Sequence, residues 1–138
     1  MTDLAIALQL DEHDGPYWPG EIISGRYGVR TAADDDVRAV ELSILWYTVG
    51  QGEEDLAVHH FERRAADSDD EGHQANFSSL RHFQSKLPNS PLSYEGILVK
   101  IRWCVRVRVF RARGKEALSD KRFFLGAVPR AQAVTPSP

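Results

Sequence analysis

An all-β sandwich of about seven strands is the fold this sequence predicts, and three observations carry the prediction. Between Ile97 and Val109 apolar residues take every second position (Ile97, Val99, Ile101, Trp103, Val105, Val107, Val109), with Lys100, Arg102, Cys104, Arg106 and Arg108 between them. A two-residue period belongs to a strand with one face in a core, not to a helix. Short apolar runs separated by turn residues fill the rest of the chain, and none shows a sustained helical period. At 138 residues the chain suits one domain, long enough to bury a hydrophobic core without disulfides.

Taken in order, the runs predict strands at residues 4–10, 21–30, 37–49, 56–63, 75–87, 93–111 and 121–128. The breaks between them have chemical causes. In "YWPGE" Pro19 presets φ and Gly20 tolerates a positive φ, and in "VGQGEED" Gly50 and Gly52 serve a polar hairpin tip. Residues 65–74, "AADSDDEGHQ", are too polar to pack and read as a mobile loop. "LPNSP" sets Pro88 and Pro91 just outside the long strand, where a missing N–H does no harm to the ladder. Residues 129–138 have little to bury and are expected to be a disordered tail, which leaves 1–128 as the domain. The fifteen residues from Ile97 to Arg111 would span about 50 Å at roughly 3.3 Å each, against about 17 to 20 Å for a common strand. Such a strand bends or crosses the whole domain.

Two segments carry a resemblance to a known family. "YWPGEIISGRYGVR" resembles the Pro-Gly-Glu, apolar pair, then Gly signature that opens the second strand of arrestin-type domains. "FQSKLPNSPLSYEGILVKIRWCVRVRV" is similar to the segment that leads into their long alternating strand, with Phe83, Leu87, Pro88, Ser93, Tyr94 and Gly96 in the matching places. The resemblance implies an immunoglobulin-like β-sandwich of the arrestin type, and a family of adaptors and scaffolds without catalysis in the domain. Such proteins usually hold two sandwiches in tandem, whereas this chain has room for one. What it implies here is therefore the fold and a bias toward protein binding.

Charge supplies the candidate site. The net charge is −3, which argues against general nucleic-acid binding, yet residues 31–72 hold twelve acids and three bases while residues 97–115 hold seven bases and no acid. Alternate residues on one side of a strand lie about 7 Å apart, so Lys100, Arg102, Arg106 and Arg108 form a stripe suited to an acidic protein segment, including the acidic loops of a second copy. The plainer reading gives these cations acidic partners on neighbouring strands.

Other chemistries are weaker. His59 and His60 are adjacent on a strand and expected on opposite faces, so they do not share a metal. The acids of residues 11–14 and 67–71 lack the spacing of a calcium loop. Cys104 is expected as a small, semi-exposed thiol, and no nucleophile elbow, phosphate loop or dinucleotide fingerprint is present, so neither an enzyme nor a cofactor is expected. Tyr17, Trp18, Tyr94 and Phe110 leave open a carbohydrate-binding or small-ligand module as the alternative to an adaptor. A single cysteine, no basic leader and no apolar run of about twenty residues lead us to expect a soluble, cytoplasmic protein.

Overall fold

A computed structural model describes residues 4–31, 37–65, 77–113 and 115–126. They form β1 (Leu4–Leu10), β2 (Ile22–Thr31), β3 (Val37–Gly50), β4 (Leu56–Ala65), β5 (Arg81–Lys86), β6 (Tyr94–Glu95), β7 (Val99–Arg111) and β8 (Ala117–Phe123), with no helix among the described residues. β2 pairs with β1 and β5 in a three-stranded sheet. β3 and β7 run down the middle of a five-stranded sheet, with β4 outside β3, and β6 and β8 sharing the far side of β7. Every one of these pairings is antiparallel. The all-β sandwich is the architecture found.

The two-residue period puts alternate side chains of each sheet into the space between them. Ile23, Tyr27, Val29 and Phe83 come from the small sheet and meet Val40, Leu42, Ile44, Trp103, Val105, Val107 and Val109 from the large one. Each large side chain buried there contributes roughly 1.5–3 kcal/mol. The Trp103 indole N–H donates to the Pro91 carbonyl at 2.8 Å, so the largest core residue leaves no orphan donor.

The segments that resemble arrestin-type domains meet at one end of the sandwich. The Gly20 N–H donates to the Leu87 carbonyl at 3.0 Å, and the Leu87 N–H donates to the Glu21 carbonyl at 2.8 Å. Gly20 reaches this geometry with φ of 90°, a conformation that side chains disfavour.

Several expected boundaries move, and each shift has a local cause. The long strand begins at Val99, because β6 folds back to pair Tyr94 with Ile101 and Glu95 with Lys100. The Gly96 N–H closes this turn on the Val99 carbonyl at 3.1 Å, and a Cβ at Gly96 would collide with the Tyr94 ring. Ile97, expected on the buried face, is 96 % exposed. Ile101, also expected to be buried, is half-buried, so the buried run starts at Trp103. Ile97 sits in the turn between β6 and β7, outside any strand, so the alternation no longer places it on a buried face.

The strand expected at 75–87 is shorter, since residues 77–79 form a turn before Arg81. The Val29 N–H still donates to the Phe77 carbonyl at 2.8 Å, which resumes the pairing beyond that turn. β8 starts at Ala117 rather than 121. Of its residues on the inner side, Ala117 and Phe123 pack on the core while Lys121 stays exposed, an inward-pointing charge that blunts an edge strand. The expected tail at 129–138, and all but the first residue of the loop at 65–74 that the structure describes, lie outside the described residues.

Candidate functional site

The register of β3 and β7 sets Lys100, Arg102, Cys104, Arg106 and Arg108 on the outward face of the five-stranded sheet, opposite Val49, Tyr47, Leu45, Ser43 and Glu41. The four cations expected to form a stripe do share that face. Acids lie beside three of them. Arg106 Nε donates to Asp120 Oδ1 at 2.9 Å, and a terminal nitrogen donates to Oδ2 at 3.2 Å. Arg102 lies 3.7 Å from Glu95 and Arg108 3.6 Å from Glu116. Lys100 Nζ donates to the Gly96 carbonyl at 3.4 Å. Hydrogen bonding to Asp120 raises the Arg106 pKa above its ordinary value. These pairs face solvent, and each stabilises the fold by about 1 kcal/mol or less.

Between Arg102 and Arg106 the outward face is apolar. Leu45 and Cys104 are buried there, at 3 % and 0 % exposure, with Val58 opposite Leu45 and Arg122 opposite Cys104. Cys104 is thus not the semi-exposed thiol expected, because the long side chains on either side close over a small residue. Burial, and secondarily Asp120, push its pKa up to about 11. The unfolded thiol ionises near its ordinary value and sheds its proton first, so stability falls as pH rises from about 9 to about 11. Ellman's reagent at pH 8 is expected to leave Cys104 unmodified in the native protein and to titrate one thiol in denaturant. Stoichiometric native reaction would refute its burial.

β4 departs from simple alternation. Ile44 pairs with His60 and Leu45 with Val58, so His59 is an extra residue, a β-bulge. The bulge turns Phe61 onto the face that already carries Leu56 and Val58, and the three are 52 %, 55 % and 49 % exposed. This apolar row on an edge strand was not foreseen from the sequence. Its one signal was the His-His pair interrupting the alternation. The bulge also overturns the expectation that the two histidines face opposite ways. His59 Nε2 bonds the Lys86 carbonyl at 2.8 Å and the ring meets Trp103 edge-on, while His60 bonds Glu62 at 3.0 Å. Glu62 in turn accepts the Tyr27 hydroxyl at 3.0 Å, so both histidines look between the sheets. Burial and Glu62 push the Tyr27 phenol well above its ordinary pKa.

On the opposite side of β7 a cleft of about 270 Å³ opens between β6 and the last residues of β8. Arg102, Arg122, Glu95, Ser93, Phe123 and Phe124 line it. Arg102 Nε is buried there without a hydrogen-bond acceptor, a donor whose bond is left unmade. Arg122 and the two phenylalanines were not among the residues singled out from the sequence.

The four aromatic residues considered for a carbohydrate face are dispersed. Tyr17 is buried, stacked on His13 and edge-on to Phe123. Trp18 is half-buried, and a side chain at Gly126 would run into its ring. Phe110 lies under Arg63 and Arg108, nine β7 positions from the Ile101 partner of Tyr94, or about 30 Å along the strand. Among the described residues no three His, Cys, Asp or Glu side chains are grouped to hold a metal, and no helix is long and apolar enough to cross a membrane.

No protein-family model matches the chain, and no curated protein matches it. Among solved structures it is similar to Spo0M, a sporulation control protein from Bacillus subtilis, with a TM-score of 0.63 and 18 % identity over 93 % of this chain and 51 % of that one. The two share a fold. It is the arrestin-like β-sandwich that the two motif segments implied. The chain spans about half the length of Spo0M, and likeness at this identity speaks to architecture alone.

Proposed function

We propose that this chain is a non-catalytic adaptor or scaffold domain that binds a protein segment along the edge of its five-stranded sheet. The observation that carries this reading is β4: ten residues with no partner strand on the outer side among the described residues, and three half-exposed apolar side chains in one row. Strand addition there would satisfy open backbone groups and seat alternate side chains of the segment on Leu56, Val58 and Phe61. Across β3, Lys100, Arg102, Arg106 and Arg108 favour an acidic segment. Their ion pairs make this charge a matter of on-rate and selectivity more than of affinity. A regulatory role is taken by analogy with the sporulation control protein that shares the fold, and a thiol held protonated by burial is a poor nucleophile. A cytoplasmic setting accords with one buried cysteine. The dispersal of the aromatic residues gives the carbohydrate-module reading no specific support.

Affinity capture from the native host, followed by binding to the purified partner, tests the proposal. Val58→Lys with Phe61→Lys is expected to weaken binding at least tenfold by removing apolar contacts at the edge. Arg106→Glu with Arg108→Glu is expected to slow association and to flatten the salt dependence, with the fold retained by circular dichroism. Folded variants that bind with unchanged affinity and salt dependence would sink the reading, and binding only to immobilised polysaccharide would favour the alternative.

A further inference from the structure

Where the β6–β7 turn meets the β3–β4 turn, the large sheet ends in an apolar tip. Ile97 is 96 % exposed, Leu98 68 % and Tyr94 54 %. Clustered apolar exposure of this kind marks an interaction site more often than an isolated residue does. The tip is built rigidly. The Gly96 N–H bonds the Val99 carbonyl at 3.1 Å, and the Gln51 N–H bonds the Leu98 carbonyl at 3.3 Å. A side chain at Gly50 would strike that same Leu98 carbonyl, so glycine is what lets the two turns touch. The β3–β4 turn, tied to the tip through Gln51, goes on to exposed Glu53, Glu54 and Asp55, which gives this end of the sheet an apolar point with acids on the adjoining turn.

The complement of that surface lies on the same molecule. The cleft at the β6–β8 junction is lined by Arg102, Arg122, Phe123 and Phe124, with Glu95 beside Arg102 as its one acid, and Phe124 is 44 % exposed. Within one chain the two surfaces cannot meet, because both are fixed along β7, the tip at Leu98 just before its first residue and the cleft from Arg102 to Arg122, the partner of Cys104. That separation is about 13–20 Å along one strand. Two copies related by a twofold axis near Glu95 and Lys100 would satisfy both surfaces twice, the reciprocity an isologous interface requires.

We infer that this chain forms a twofold dimer in which Ile97 and Leu98 of each copy cover Phe123 and Phe124 of the other, and the acids of the β3–β4 turn pair with Arg102 and Arg122. These acids repel an anionic lipid surface, which leaves the basic cleft of a second copy as the better match. The inference stands apart from the β4 reading and uses a different part of the sheet.

Sedimentation velocity across about 1–500 µM at low and high salt tests it, over the range expected of an interface at the small end of the standard size. The native chain is expected to show a concentration-dependent dimer that weakens several-fold as salt rises. Ile97→Asp with Leu98→Asp should be monomeric throughout with an unchanged Tm, since the side chains removed are exposed. Arg122→Glu alone, and Glu53→Lys with Glu54→Lys alone, should each dimerise at least tenfold more weakly. Mixed together, the last two restore opposite charges at both contacts and should form a heterodimer. A native chain that stays monomeric at the highest concentration overturns the inference, as does a tip variant that dimerises normally. Cosedimentation of a monomeric native chain with phosphatidylcholine vesicles would overturn it in favour of a lipid partner. Val58→Lys with Phe61→Lys should still dimerise, which separates failure here from failure of the β4 proposal.

Discussion

Trp103→Ala is expected to lower the unfolding free energy by about 3–5 kcal/mol, the largest single loss in the core. Trp103 is 1 % exposed and joins three elements. Its ring packs on Phe123 of the edge strand at 5.8 Å and meets His59 of β4 edge-on at 6.1 Å, and its N–H holds the Pro91 carbonyl. Alanine would leave a cavity between the sheets and a carbonyl without its donor. Against a total stability of about 5–15 kcal/mol, such a loss brings the domain close to unfolding at room temperature. Urea denaturation measures it. Ile101→Ala provides the contrast, because a half-buried residue loses less transfer energy and its site opens toward water. Equal losses at the two positions would show that the buried run does not begin at Trp103.

Gly25→Ala is expected to cost about 3 kcal/mol, near the top of the overpacking range. Gly25 pairs with Leu10 on one side and Phe83 on the other, in the central strand of the small sheet. A Cβ there would collide with the Gln9 carbonyl oxygen and come within 3.0 Å of both Leu10 Cα and Phe83 Cε1. Two of those atoms are backbone, which cannot rotate away, so β1 would have to separate from β2. Gly28→Ala in the same strand meets its neighbours at 3.3–3.4 Å, one of them a leucine methyl, and is expected to cost far less. Thermal unfolding of the pair decides the point. Gly25 is also the glycine that closes the Pro-Gly-Glu signature, so the motif has a steric meaning: β1 and the Phe83 ring approach too closely for a side chain.

Much of the sandwich was legible because burial of one strand face writes a period of two into the chain. β2, β3 and β4 begin within one residue of their expected starts, and Trp103, Val105 and Val107 are buried as the alternation required. The stripe of four cations was legible for the same reason, since residues alternating with a buried run share the opposite face. The chemistry around the stripe was not. Asp120, Glu116 and Glu95 reach the cations from β8, the preceding turn and β6, and which residues of neighbouring strands stand side by side depends on a register that the turns set and the alternation leaves open.

The amino-acid sequence by itself determined the strand periodicity, the turn glycines and the clustering of opposite charges, because each depends on interactions within a few residues. Only the tertiary structure decided which alternating residues were covered. Ile97 follows the rhythm of Val105 yet stands in water, since the chain turns back there to pair β6 with β7 and leaves the strand that the rhythm describes. Only pairing with β3 revealed the bulge at His59 that turns Phe61 outward, because a bulge is a mismatch between two strands. Packing against neighbours likewise buried Cys104 on a face that its own strand assigns to solvent. Periodicity specifies which residues share a face, whereas the elements brought across from elsewhere in the chain decide what that face meets.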